Sequence, residues 1–340
     1  MTTNTQEKAI PSNTHRFCVA PMMAWTNRHA RYFMRLITKS ALLYTEMVPL
    51  NALLHGNQKR FLEYSNSEHP LALQIGGSDP QGLAQATYIA REWGYSEINL
   101  NLGCPSNRVA NANFGACLMQ HPSLVAECIN AMVLTNQLPV TVKCRIGINN
   151  MDTGERLNHF IEQISKSGCK TIILHARQAL LNGLSPKENR EIPPLDYQRV
   201  YQIKNDFPDL SIIINGGITD LDQSIVHLGH VDGVMLGRAA YQNPFLLAKV
   251  DQRLFNSKRS PIDRATIIQK LMPYCEKELA LGTPLHHITR HIMGLFRGYP
   301  GGKLWRRYLS TKAIESNATS NTIFEALQKI VPNHITASLL

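Results

Sequence analysis

From His15 to Arg238 the chain alternates between two kinds of hydrophobic pattern. Eight short runs are apolar and rich in β-branched residues, and each ends in a polar residue, Gly or Pro: His15–Met23, Ala41–Val48, Pro70–Gly77, Glu97–Cys104, Pro139–Gly147, Thr171–Arg177, Ser211–Gly217 and Gly233–Arg238. Such runs predict strands that stop abruptly. Between them Pro80–Trp93, Ser123–Thr135 and Gly154–Ser167 carry apolar residues at three- and four-residue spacing, which predicts helices. Eight strands alternating with helices is the pattern of an α/β (β/α)8 TIM barrel. A doubly wound open sheet is the competing topology; against it, no Gly-x-Gly-x-x-Gly follows the first strand, and polar residues close all eight strands instead of gathering at one switch point.

In a barrel the carboxyl ends of the strands form one face, and active sites are built there. Pro21, Met22 and Met23, Glu46, Gln74, Asn101, Cys104, Lys143, His175, Asn215, Gly216, Gly217, Gly237 and Arg238 are then expected to converge. Ile98, Leu100 and Leu102 alternate as in a half-buried strand, and Gly103-Cys104-Pro105 ends it, so Cys104 is expected on a loop at the rim. Free cysteines are mostly small buried hydrophobes. From a rim loop, however, a thiol of ordinary pKa can hand over a proton, or attack as thiolate. Lys143, inside Thr141-Val-Lys-Cys-Arg145, is either a solvated strand end or a buried ammonium that wants an anionic partner, for which a flavin's pyrimidine edge is suitable. His175 taken singly reads first as a hydrogen-bonded packing residue, with a ligand contact as the alternative. Glycines after the last two strands, with Arg238 beside them, make a phosphate cradle.

The residues Ala20-Pro-Met-Met23, Thr45-Glu-Met-Val48, Gln74-Ile-Gly-Gly77, Asn99-Leu-Asn-Leu-Gly-Cys-Pro-Ser106, Val142-Lys-Cys-Arg-Ile-Gly147, His175-Ala-Arg177, Asn215-Gly-Gly217 and Leu236-Gly-Arg238 together resemble the tRNA-dihydrouridine synthases, flavin-dependent enzymes that reduce uridine in transfer RNA. The stretch Leu184–Asp196 and the ending Gly302–Leu309 resemble the bacterial A-type branch, whose targets are positions 20 and 20a of the D-loop. The likeness covers nearly the whole chain. It implies that Pro21, Met22, Met23, Gln74, Lys143, His175, Asn215, Gly216, Gly217, Gly237 and Arg238 hold FMN, with NADPH or NADH as reductant. It further implies that Cys104 is the proton donor to C5 of uracil, after hydride reaches C6. Asn101 is expected at the uracil edge, fixing the base.

Length and charge extend this picture. A barrel takes about 250 residues, so a 340-residue chain has room for a second domain; the charged, Pro-containing Asn256–Ile262 sets the expected division at 1–255 and 256–340. Ser257 to Lys312 holds eleven Lys or Arg against three Asp or Glu, within a net charge of +10. Helical patterning over Arg264–Ala280 and His286–Phe296, followed by Lys303, Arg306 and Arg307 with Phe296, Tyr299, Trp305 and Tyr308 interleaved, predicts an all-α domain with a tRNA-binding face. Arg306, Arg307, and Lys187 and Arg190 in the long loop after the sixth strand, are the expected tRNA contacts. Seven scattered cysteines without a Cys-x-x-Cys pair argue against disulfides and against a zinc or iron–sulfur site. The polar start Met1–Thr14 lacks the apolar core of a signal peptide, and no run approaches about 18 apolar residues, so a cytoplasmic protein with no membrane partner is expected. Two other readings are open. A flavin barrel acting on a free pyrimidine, of the dihydroorotate dehydrogenase kind, has no use for the basic appendage. A non-catalytic RNA-binding protein has no use for Cys104, Lys143 and His175 on one face.

Overall fold

The computed structural model describes residues 14–149 and 154–330. The expected signal-peptide-free start up to residue 13, and residues 331–340 of the expected second domain, lie outside the described residues. Eight parallel strands form the sheet: β1 Phe17–Val19, β2 Leu42–Tyr44, β3 Leu71–Gly76, β4 Glu97–Leu102, β5 Val140–Arg145, β6 Thr171–His175, β7 Ser211–Asn215 and β8 Gly233–Leu236. Each pairs with its neighbours in chain order, and β1 also pairs with β8, Cys18 opposite Met235, which closes the barrel. A two-residue ladder at Val48–Pro49 prolongs the β2 side along the end of β3. The expected helices are present as Pro80–Glu92, Pro122–Leu134 and Glu155–Lys166.

Strand alternation divides the side chains in two. Outward residues such as Ile98, Leu100, Ile172 and Ile214 join the helices in one large apolar core. Inward, Cys18, Ala20, Leu42, Tyr44, Ala72, Ile173, Ile213 and Met235 form a separate small core. β4 and β5 fill the rest of the lumen with polar groups. The half-buried strand expected at β4 is therefore buried on both faces: Glu97 and Asn99 are wholly inaccessible, as are Ile98 and Leu100. Its polar face turns into the barrel, where every group finds a partner, as burial requires. Glu97 accepts from Tyr44 (2.7 Å) and Thr141 (2.9 Å) and pairs with His15 (2.6 Å). Asn99 donates to Thr141 (2.8 Å) and accepts from Gln74 (2.8 Å), and Asn101 donates to Gln74 Oε1 (2.9 Å).

The chain beyond residue 255 is helical at Arg264–Ala280, Leu285–Thr289, Gly302–Lys312 and Asn321–Gln328. It docks on the barrel helix Arg28–Ile37, where Arg28 grips Glu278 with two bonds of 2.6 Å and Tyr32 stacks on Tyr274. The helix expected over His286–Phe296 ends at Thr289 and continues as turns. The apolar spacing there comes from turns bonded at i to i+3, and at Gly294 backbone packs on backbone, since a Cβ would meet the carbonyl oxygen of Gln242 at 2.5 Å. Two of the aromatics expected on the basic face belong instead to the core. Phe296 and Trp305 are buried, and the indole donates to the Ile292 carbonyl (3.1 Å). Lys303, Arg306 and Arg307 are exposed. No helix among the described residues is long and apolar enough to cross a membrane.

Candidate active site

The same alternation that builds the inner core sets the rim. Continuing each inward row by two residues reaches Met22 above Ala20, Glu46 above Tyr44, Gln74 above Ala72, Asn101 above Asn99, Lys143 above Thr141, His175 above Ile173, Asn215 above Ile213 and Gly237 above Met235. Register then sets them side by side. Asn101 pairs with Lys143, Arg145 with His175, and His175 with Asn215. The expected convergence of strand-end residues is present.

Lys143 donates to Asn215 Oδ1 (3.0 Å), and Asn215 passes its own amide N–H to the Met235 carbonyl (2.7 Å). Burial, and then the neighbouring charge of Arg145, hold the Lys143 ammonium down to about 8. His175 is pushed well below the usual imidazole range by burial and then by Arg145, Lys143, Arg177 and Arg190, so it is neutral at pH 7. Gly216 has φ +116°, and a Cβ there would meet the His175 ring at 2.8 Å; this close approach requires glycine. Arg238 pairs with Glu191 (2.6 Å) in the long loop after β6. That pair is more than a third exposed on both sides, so it is weak, and a phosphate can draw the guanidinium away at small cost.

Cys104 is partly exposed on the loop after β4. Asn101 Oδ1 accepts the backbone N–H groups of Gly103 (3.2 Å) and Cys104 (3.1 Å), so the side chain expected at the substrate edge also shapes the thiol's loop. Gly115, at φ +82°, lies directly beneath: a Cβ would meet the Cys104 carbonyl oxygen at 2.7 Å. Lys143 pairs in the sheet with Asn101, which holds the Cys104 loop, and Arg145 donates to the carbonyls of Gly103, next to Cys104, and of Asn189, next to Arg190. The other cysteines are free as well, and only Cys117 among them is not buried.

Arg145 was not expected to matter. It is buried and holds three backbone carbonyls, those of Gly103 (3.2 Å), Gln178 (3.2 Å) and Asn189 (2.9 Å). Its signal was present in the sequence, since it lies two residues beyond Lys143 on the same inward row. Asn189 had no such signal. It is wholly buried within the long loop, accepting from Leu180 N–H (2.8 Å) and donating to the Leu180 carbonyl (2.8 Å). Lys187 and Arg190 stand exposed on that loop, at the same mouth. Arg306 and Arg307 lie on the C-terminal helix Gly302–Lys312.

A closed parallel barrel whose carboxyl rim gathers a thiol, a neutral imidazole, a buried ammonium and a glycine-lined end with an arginine is a TIM-barrel enzyme site. Residues 18–331 match the family model described as dihydrouridine synthase. Relatives named tRNA-dihydrouridine(20/20a) synthase are 55% identical in Shewanella oneidensis (92% of this chain, 93% of the relative), 54% in Escherichia coli K12 (96% of each) and 54% in Vibrio cholerae (93% and 96%). The chain belongs to the dihydrouridine synthase family. In fold alone it is also similar to a 2-naphthoyl-CoA reductase, with a TM-score of 0.55 at 10% identity over 70% of this chain and 50% of that one.

Proposed function

We propose that this protein reduces uridine to 5,6-dihydrouridine in the D-loop of tRNA, at positions 20 and 20a, using FMN that NADPH or NADH re-reduces. The observation that carries the reading is the placement of Cys104 on the rim, beside Lys143, Arg145 and Arg190, in a chain of this family. The donor set suits the cofactor. Asn215, Gly216, Gly217, Gly237 and Arg238 would hold the phosphate, while Pro21, Met22, Met23, Gln74, Lys143 and His175 would hold the ring system. Bound and reduced, the flavin supplies the hydride for C6 of uracil.

The chain's own residues do the remainder. Asn101 fixes the height of the Cys104 loop, and the Cys104 Sγ–H gives its proton to C5. A neutral His175 and a cationic Lys143 let the site accept negative charge without a competing carboxylate among the inward strand-end residues after β3. Because bases in a folded tRNA are stacked, the target uridine has to be turned out into the mouth. Lys187 and Arg190 at the rim, with Arg306 and Arg307 on residues 256–340 as the tRNA-binding domain, contact phosphates that carry affinity without sequence information. The enzyme works in the cytoplasm, where its tRNA substrate is.

The test is direct. Purified protein with photoreduced flavin is mixed with unmodified tRNA or with orotate, and flavin reoxidation is followed anaerobically. Reoxidation by tRNA alone, with dihydrouridine found at positions 20 and 20a by mass spectrometry, is the expected result. Reoxidation by orotate alone would replace this reading with that of a free-pyrimidine oxidoreductase.

A further inference from the structure

The chain's three tryptophans are held differently. Trp305 is buried in the core and Trp93 packs against it, whereas Trp25 belongs to no apolar cluster. It is half-buried on the loop after β1, and its indole N–H meets no acceptor among the described residues. A ring with an apolar face and an unused donor is suited to an interface. One face is already covered. Because β1 and β8 are neighbours in the closed sheet, the short helix after β8, Arg238–Gln242, brings Tyr241 onto the indole, with ring centroids 4.5 Å apart and planes 13° from parallel. Both rings are fixed from behind. The Tyr241 hydroxyl meets His291 Nδ1 (2.9 Å), beyond residue 255. The Met22 carbonyl accepts from the N–H groups of Trp25 and Thr26, both at 3.0 Å. Between them Ala24 stands at φ +63° although it carries a Cβ, held by two bonds: its N–H donates to Glu46 and its carbonyl accepts from Arg290 (3.1 Å). Such backbone persists only where its surroundings over-determine it, and it clusters at ligand clamps. Glu46, which the chemistry above leaves unused, thus serves to set the loop that carries Trp25.

We propose that Trp25, backed by Tyr241, is a stacking site for a second nucleobase of the tRNA, the neighbour in the strand of the uridine being reduced. This rests on the proposed function and names a second base that the mouth takes. The two target positions, 20 and 20a, adjoin, so turning one uridine into the barrel pulls the other from its own stack and leaves it in need of a surface. An aromatic ring takes any base, because every base has a π-face. Met22, expected against the flavin, is one turn from Trp25, so the two bases would lie side by side. Arg290, exposed beside Ala24, offers a cation to the strand's phosphates at the same place.

The experiment uses the holoenzyme and three tRNAs: one with uridine at both positions, one abasic at 20a and one abasic at 20. The readout is kcat/KM for dihydrouridine formation at each remaining uridine, by mass spectrometry. Stacking one base on an aromatic ring is worth about 5- to 150-fold in affinity, so the wild type should lose that much on at least one abasic tRNA. Trp25→Leu, which keeps bulk without a π-face, should lose as much on the intact tRNA and nothing further on that abasic one, since only groups in contact couple in this way. Trp25→Phe should recover most of the rate. A tryptophan that merely packs would instead lower the rate equally on intact and abasic tRNA, and that result would overturn the proposal. So would a wild type that reduces both abasic tRNAs within about threefold of the intact one. Flavin content and flavin reduction by NADPH should stay within about twofold of wild type in both variants. A fall in the NADPH step as large as that with tRNA would give the platform to the dinucleotide's adenine and overturn the proposal as well. If Trp25→Leu does not fold, Tyr241→Leu, which removes the ring behind, takes its place in the same comparison. No dihydrouridine from the wild type on intact tRNA would remove the proposed function itself.

Discussion

Replacing Lys143 by Met in flavin-free protein should make the fold more stable at neutral pH while weakening the cofactor site. The ammonium titrates at about 8 in the folded chain, against 10.5 for an ordinary lysine, because it is buried and flanked by Arg145. At 1.36 kcal/mol per unit, keeping it charged costs the folded state about 3 kcal/mol below pH 8. That figure is an upper bound, since the side chain keeps some contact with solvent at the mouth. Met removes this cost and leaves Asn215 Oδ1 without its donor, a loss of about 1–3 kcal/mol when no water replaces it. The two partly cancel at pH 7.5, so the absolute gain is about 1 kcal/mol, which for a chain of this size raises Tm by about 1–2 °C.

The pH dependence of the difference is sharper. Below pH 8 folded and unfolded wild-type chains both hold the lysine proton, and the cost is constant. Between pH 8 and 10.5 the unfolded chain still holds it and the folded chain has released it, so wild-type stability rises with pH. The Met variant lacks this gain, and its advantage should shrink by about 2 kcal/mol between pH 7.5 and 9.5. Titrations of the other groups are common to both proteins and cancel. Urea unfolding of both at pH 7.5, 8.5 and 9.5, at fixed ionic strength, measures it. A gap that stays constant or widens with pH would show that Lys143 is not a buried charge under strain. Flavin titration of the same proteins should show weaker binding by the variant.

Cys104→Ala should keep its flavin and its NADPH oxidation yet lose uridine reduction by about a hundred- to ten-thousandfold, as removal of a general acid does; near wild-type dihydrouridine formation by mass spectrometry would end that assignment. Arg238→Ala should lose FMN affinity while binding riboflavin as before, since the guanidinium serves only the phosphate; equal losses in fluorescence titrations would place the phosphate elsewhere. Charge reversal at Arg306 and Arg307, or at Lys187 and Arg190, should weaken tRNA binding and flatten its salt dependence by roughly 0.7–0.9 in log–log slope for each contact removed. Filter binding at several salt concentrations decides. Glu97→Gln should cost about 2–3 kcal/mol, because charge-assisted bonds from His15 and Tyr44 are lost. Burial pulls the His15 imidazolium down, but the charge and hydrogen bond of Glu97 outweigh it and raise its pKa. That contribution is whole below pH 6.5 and fades as pH climbs through the raised value, so thermal melts should show the deficit shrinking from pH 6 to 8.5.

What could be read in advance follows from how each group is held. The barrel was legible because every strand ends in a residue that cannot continue it, and because alternation alone carries the inward rows up to Gln74, Lys143, His175 and Asn215. Cys104 was legible for the same reason: Gly103 and Pro105 leave it no strand to belong to. Arg145 lay on a readable row, but its three partners are carbonyls, which carry no sequence signature. Asn189 was hidden altogether, since a loop that folds around one buried amide has no periodicity. The stretch after Thr289 misled because turns bonded at i to i+3 repeat apolar residues at almost helical spacing, and Phe296 and Trp305 misled because an aromatic beside arginines looks alike whether it faces RNA or the core.

The polar column through the lumen explains why this barrel tolerates so much uncommitted charge at its mouth. From His15 and Glu97 at one end, through Thr141, Asn99 and Gln74, to Asn101 and the N–H of Cys104 at the other, each side chain is held by the next at 3.2 Å or less. An apolar lumen would leave Asn101 free to rotate, and the Cys104 loop with it. A satisfied column is rigid because each amide has donor and acceptor assigned by its neighbours, so turning one leaves a buried group without a partner, at about 1–3 kcal/mol each. Within this column the negative charge is thereby confined to Glu97 at the far end, on a strand whose own rim end is uncharged. Among the inward strand-end residues named above the one carboxylate is Glu46, at the end of β2, and it accepts from the Ala24 N–H. A site built this way favours whatever negative charge arises in its mouth during reaction, and holds the proton donor at one height while it does so.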